Sequence, residues 1–214
     1  MQRQEIRSIV RNALPKYDKT NRYHDEFLNR IIEKVIAQMY NDVWAISPHN
    51  LQRYIVGYGY TTALTVLTEP NTGIKYTTLP ESIIPFQDKA SGVRRVSTVL
   101  QGAATFFPLD SREWDLLVNG SYADTVASKI GYAVNQTRVE YYNMNATVEA
   151  AGVRMDCVIP FSKYAETDEV KIPEFADPRT GETFMDRVLK VLGVVQEVDI
   201  KDDNASQGLN QKDN

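Results

Sequence analysis

The segment that most constrains this chain is residues 153–161, Val-Arg-Met-Asp-Cys-Val-Ile-Pro-Phe. Val153, Met155, Cys157, Ile159 and Phe161 fall on one side of an extended backbone, and Arg154 and Asp156 on the other. Alternation with period two is the signature of a strand that turns one face to a core. Pro160 brings no N–H to a ladder, so the strand is expected to close there or to lie at an edge. Residues 162–173 read as a polar crossover ending in the short extended piece Val170-Lys171-Ile172. Everything before this segment reads as helices and then strands that need it to complete a sheet.

The first 50 residues carry the helical period. Residues 2–14 form a short predicted helix with Ile6, Ile9, Val10 and Ala13 as its apolar stripe and Pro15 as its end. Arg3, Arg7 and Arg11 stack along one face of it. They read either as a solvated face paired with acidic neighbours or as a stripe that faces phosphate or docks a partner. A longer helix, capped by Thr20 or Asn21, is expected to run to about Ile46. Phe27, Leu28, Ile31, Ile32, Val35, Ile36, Met39, Val43 and Trp44 recur along it at helical spacing. Ser47-Pro48 ends it.

From Leu51 the period becomes two. Tyr54, Val56, Tyr58, Tyr60, Thr62, Leu64 and Val66 share one predicted face, against the smaller Gly57, Gly59, Thr61 and Ala63. The run is longer than an ordinary strand, so a bend or bulge is expected near Gly57-Tyr58-Gly59. The turn Pro70-Asn71-Thr72-Gly73 makes residues 51–69 and 74–78 a predicted hairpin. A further strand is expected at 93–100, where Arg94 and Arg95 form a basic spot that either guards a strand edge or meets a partner or DNA. Residues 129–144 and 147–161 read as two antiparallel strands joined at Asn145-Ala146. Thr180 then caps a last helix with Phe184, Val188, Val191, Leu192 and Val195 on one side.

The expected fold class is α+β. N-terminal helices (1–50) pack on a mainly antiparallel β-sandwich or barrel-like sheet (51–176), followed by a C-terminal helix (177–201) and an extended tail (202–214). The tail holds three Asp, one Lys and a single sizeable apolar residue, Leu209, so it is expected to order only against another chain. Twelve Tyr outnumber seven Phe and two Trp together, and amphipathic Tyr is favoured at interfaces. Tyr54, Tyr58, Tyr60 and Leu209 are therefore the candidate inter-subunit residues.

A formal net charge of −4 argues against a general nucleic-acid binder. The lone Cys157 sits on the apolar side of its strand and reads as a small buried hydrophobe. His24 and His49 have no partner at metal-ligand spacing, and neither metal nor cofactor is expected. No catalytic motif or residue is assigned. Asp168-Glu169 reads as solvated crossover rather than an acid–base pair. The first residues lack an apolar leader core, and no run reaches membrane-spanning length.

The segments Ile159-Pro-Phe-Ser-Lys-Tyr and Thr167-Asp-Glu-Val-Lys-Ile-Pro-Glu, with the order of helices, β region, crossover and last helix, resemble head–tail connector ring proteins of short-tailed phages, the crAss-like group especially. The resemblance implies a virion structural protein, assembled in the bacterial host cytoplasm as a homo-oligomeric ring of about twelvefold symmetry. It implies a place below the portal, contact with portal and tail ring proteins, and a channel that passes viral DNA without reading its sequence. No membrane partner is expected. Two other readings stand beside it: a different tail or capsid-decorating protein, and an enzyme of unfamiliar type.

Overall fold

The computed structural model describes residues 1–17, 24–100, 106–110, 113, 129–173 and 181–193. Helix α1 (Arg3–Tyr17) buries Ile6, Val10 and Leu14, three positions one turn apart, while Ile9 stays 42% exposed. The helix runs to Tyr17, past Pro15, where the sequence reading ended it. Its first N–H groups have no intrahelical acceptors. The crossover supplies them: the Arg3 N–H donates to the carbonyl of Asp168 and that of Gln4 to the carbonyl of Glu166. Val170 returns a bond to the carbonyl of Met1 at 2.8 Å.

Helix α2 (Asp25–Ile46) turns Leu28, Ile32, Val35, Ile36, Met39 and Tyr40 into the core. It packs against α1, the 3-10 turn Pro48–Tyr54, the 3-10 turn Phe161–Lys163 and the last helix. Phe27, expected on the buried stripe, is 45% exposed in the first turn. His24 stands at the N-cap position without a side-chain cap, and Thr20 and Asn21 lie outside the described residues.

Eight strands follow among the described residues: β1 (Val56–Tyr58), β2 (Leu67–Thr68), β3 (Lys75–Thr78), β4 (Val93–Thr98), β5 (Phe107–Pro108), β6 (Gly131–Asn135), β7 (Arg138–Tyr142) and β8 (Val153–Cys157). A short helix α3 (Ala146–Ala151) precedes β8, and helix α4 (Phe184–Val191) is the last element among the described residues. One sheet has the order β1-β8-β4, antiparallel throughout. The other has the order β2-β3-β7-β6-β5, with only β5 and β6 parallel. The α+β class is as expected. Neither sheet closes on itself among the described residues, so the barrel-like form is not confirmed. Buried residues from Ile6 to Leu189 form one hydrophobic cluster that both sheets share. Tyr132 of β6 fastens them by donating to the carbonyl of Val93 in β4 at 3.3 Å.

Several segments differ from the sequence reading. The long strand 51–69 is broken. Its start is the 3-10 turn, and Gly59, with φ +81°, swings the chain away after β1. Leu64 and Val153 then exchange backbone hydrogen bonds at 2.9 and 3.0 Å before the chain enters the second sheet as β2. The expected hairpin survives only as β2–β3. Residues 129–144 are not one strand but the β6–β7 hairpin, turned at Gln136 with φ +50°. The side chain of Asn145 accepts from the Val148 N–H at 2.9 Å and caps α3 where a tight turn was expected. The cap of α4 is Thr183, in a reciprocal capping box with Asp186; Thr180 and Val195 lie outside the described residues.

Candidate functional site

Arg3 and Arg7 of the N-terminal stripe converge on the crossover. Nη1 of Arg3 donates to the carbonyl of Tyr164 at 2.8 Å, and the guanidinium lies 5.4 Å from the centre of the Phe161 ring. Arg7 grips Glu166 with both Nη atoms, at 3.1 and 2.9 Å, the bidentate geometry a planar fork favours. Arg11 pairs with Asp25 at the start of α2. The stripe thus ties α1 to two later segments of its own chain, and its charge is largely answered within the subunit.

The basic spot on β4 splits by strand alternation. Arg94 donates to Asp88 at 2.6 Å and lies 5.9 Å from the ring centre of Phe86. Arg95 points the other way, is exposed, and makes no ion pair among the described residues. Its cross-strand partner is Asp156 of β8, and Arg154 sits opposite Ser97. These four side chains, with Gly57 of β1, occupy the outer face of the three-stranded sheet.

Tyr60 completes that face. After the turn at Gly59 its ring folds back over Gly57, so tightly that a Cβ there would stand 2.8 Å from Cε2 of the ring. The hydroxyl donates to Oδ1 of Asp156 at 2.8 Å. The guanidinium of Arg154 lies 5.3 Å from the ring centre, and its Nε donates to Oγ of Ser97 at 2.8 Å. Partial burial and the bond to Asp156 raise the Tyr60 pKa, while Arg95 and Arg154 pull it the other way. Glycine at 57 is what admits the ring to the sheet surface.

Tyr54 and Tyr58 lie elsewhere. Tyr54 stacks obliquely on Tyr40, ring centres 5.3 Å apart, at the foot of α2. Tyr58 is on the inner side of β1 and lines a cleft of about 430 Å³ with Val56, Glu81, Ile159, Lys163, Asp168 and Glu169. Burial, followed by the charges around it, pushes its hydroxyl up to about 12. Cys157 is buried and its thiol is likewise pushed up to about 12, so it stays protonated at neutral pH. Leu209 lies outside the described residues.

The structure therefore brings Tyr60 and Arg95 together and separates both from Tyr54, Tyr58 and the N-terminal arginines. The partners that define the Tyr60 face, Arg154 and Asp156, were not among the sequence candidates. Their signal was two charged residues facing outward on a strand opposite small residues. Among the described residues no three or more His, Cys, Asp or Glu side chains are grouped to hold a metal ion, and no helix is long and apolar enough to cross a membrane. A scan against protein-family models and searches of curated proteins and of solved structures found no match to this chain.

Proposed function

We propose that this chain is a virion structural subunit that assembles head to tail into a ring of the head–tail connector, below the portal, where it extends the DNA channel and joins capsid to tail. The observation that carries this reading is the presence of unlike adhesive surfaces on different elements of one subunit. Strand β2 is the edge of its sheet and exposes Leu67 at 44%. Helix α1 exposes Ile9 beside a shallow concavity of about 510 Å³ formed with Met1, Gln4, Glu5, Ser8 and Asn12. Tyr60 presents an aromatic ring on a third surface. Contacts between unlike patches close into rings when the rotation closes, whereas a twofold pair needs only one patch. An acidic net charge of −4 suits a channel that passes DNA without gripping it.

Mass photometry of the purified chain over rising concentration tests this. The expected result is one dominant high-order species at an integer multiple of the subunit mass. A monomer at every concentration, alone and with the capsid portal present, would remove the basis for a ring.

A further inference from the structure

Arg3, Arg7, Arg94, Arg138 and Arg187 are half-buried, and each faces a carboxylate of its own chain. Arg154 is equally half-buried, yet it forms no ion pair among the described residues. Its position is nonetheless fixed, by Ser97 on Nε and by the Tyr60 ring against its guanidinium, and its two Nη groups make no hydrogen bond or ion pair among the described residues. The nearest carboxylate on the face, Asp156, is occupied by the Tyr60 hydroxyl. Arg95 adds a second cation from the neighbouring strand. A guanidinium held in place by packing loses little freedom when it takes a two-pronged acceptor, and Arg and Tyr are the residues that dominate interface energies.

The complementary charge lies on the other side of the same sheet. Val56 and Tyr58, which pair with Cys157 and Met155, line the cleft whose polar rim is Glu81, Asp168 and Glu169. Lys163 offsets Glu81 at 3.2 Å, and the amino group of Met1 lies 3.7 Å from Glu169, itself 72% exposed in its side chain. Asp168 is exposed, and among the described residues its carboxylate accepts one hydrogen bond, from the backbone N–H of Ala165, and forms no ion pair. Because strand alternation puts the two patches on opposite faces of β1, one subunit cannot bring them together.

We propose that the Arg154–Tyr60–Arg95 face of one copy docks on the Glu81–Asp168–Glu169 cleft of the next, forming the head-to-tail contact of the ring. This rests on the ring reading above and names its two surfaces. Carboxylates fit the face better than a nucleic-acid backbone does. A phosphate track needs a run of cations, and here two arginines stand beside a buried aspartate.

Two charge-reversed variants test the pairing by mass photometry: Arg95→Glu with Arg154→Glu, and Glu81→Lys with Glu169→Lys. Each alone should raise the dissociation constant for self-association at least about tenfold. Mixed in equal amounts they should associate again, since each restores the sign its neighbour needs. Arg95→Glu alone, which breaks no contact among the described residues, should give a smaller loss and covers the case in which the double variant does not fold. Rings from the arginine variants alone, or no recovery on mixing two folded variants, would overturn this contact while leaving the ring itself standing. A wild-type chain that never self-associates would overturn both. Salt-sensitive binding to a DNA duplex lost on Arg154→Glu would overturn it in favour of phosphate.

Discussion

The hydroxyl of Tyr60 donates to the carboxylate of Asp156 across 2.8 Å, and the ring that carries it rests on Gly57. The residue holding that carboxylate is only 6% exposed, so the hydroxyl is a main source of its hydrogen bonding. Tyr60→Phe keeps the ring and removes the donor. The expected cost is about 1–3 kcal/mol, the range for a buried charged acceptor that loses its partner. Urea denaturation of the variant measures it.

Gly59 and Gly73 separate strain from collision. Both have positive φ, +81° and +71°. A Cβ on Gly73 would meet nothing within 4 Å, whereas one on Gly59 would stand 2.6 Å from the carbonyl oxygen of Val153. Gly73→Ala should cost only the left-handed penalty of about 1–2 kcal/mol. Gly59→Ala should cost clearly more, because relief requires moving the Leu64–Val153 pairing that links the chain to β8. Equal losses in a paired denaturant titration would mean the bend is not braced there.

The buried stripe of α2 gives a graded expectation. Ile32 is fully buried, and Ile32→Ala should destabilise by about 2–5 kcal/mol. Phe27→Ala, on the exposed side of the first turn, should cost well under half of that. A larger loss at Phe27 than at Ile32 in thermal melts would reverse the assigned face.

Much of this was legible beforehand, and the rest has physical reasons for being hidden. The α2 period and the Val153, Met155, Cys157 alternation are local, so the sequence displays them directly. Tyr40 lies one turn after Ile36 on the same face, but a tyrosine at that position carries no clear signal of burial. Its burial depends on a bond from its hydroxyl to the carbonyl of Lys171, 131 residues away. The length and glycines of the run after Leu51 signal the bend found at Gly59, but nothing in its uninterrupted alternation reveals that the bend hands the chain from one sheet to the other. The arginine stripe on α1 was visible, but its partner Glu166 lies 159 residues beyond Arg7. Long-range ion pairs leave no spacing to read. The Tyr60 face was missed in the same way, since its members come from three strands and a turn.

Alkaline pH should weaken the fold. The Cys157 thiol is raised from 9.0 to about 12, mainly by burial and then by Asp156, and Tyr58 from 10.0 to about 12. Between the unfolded and folded values the unfolded chain has lost protons that the folded chain keeps, so stability falls as pH rises. The contribution is complete below about pH 9 and is lost towards pH 12. Melting temperatures should therefore drop between pH 8 and 11, and Cys157→Ala should flatten part of that drop while buried tyrosines retain the remainder. In the native state the thiol should resist a disulfide reagent that modifies it at once in urea.

The ring is the central claim, and cryo-electron microscopy of assembled particles tests it most directly. Density that fits this subunit should form a closed, rotationally symmetric ring under the portal, with β1-β8-β4 sheets meeting their neighbours across unlike faces. Single copies scattered over the capsid surface, or no density for the chain in the particle, would contradict the account.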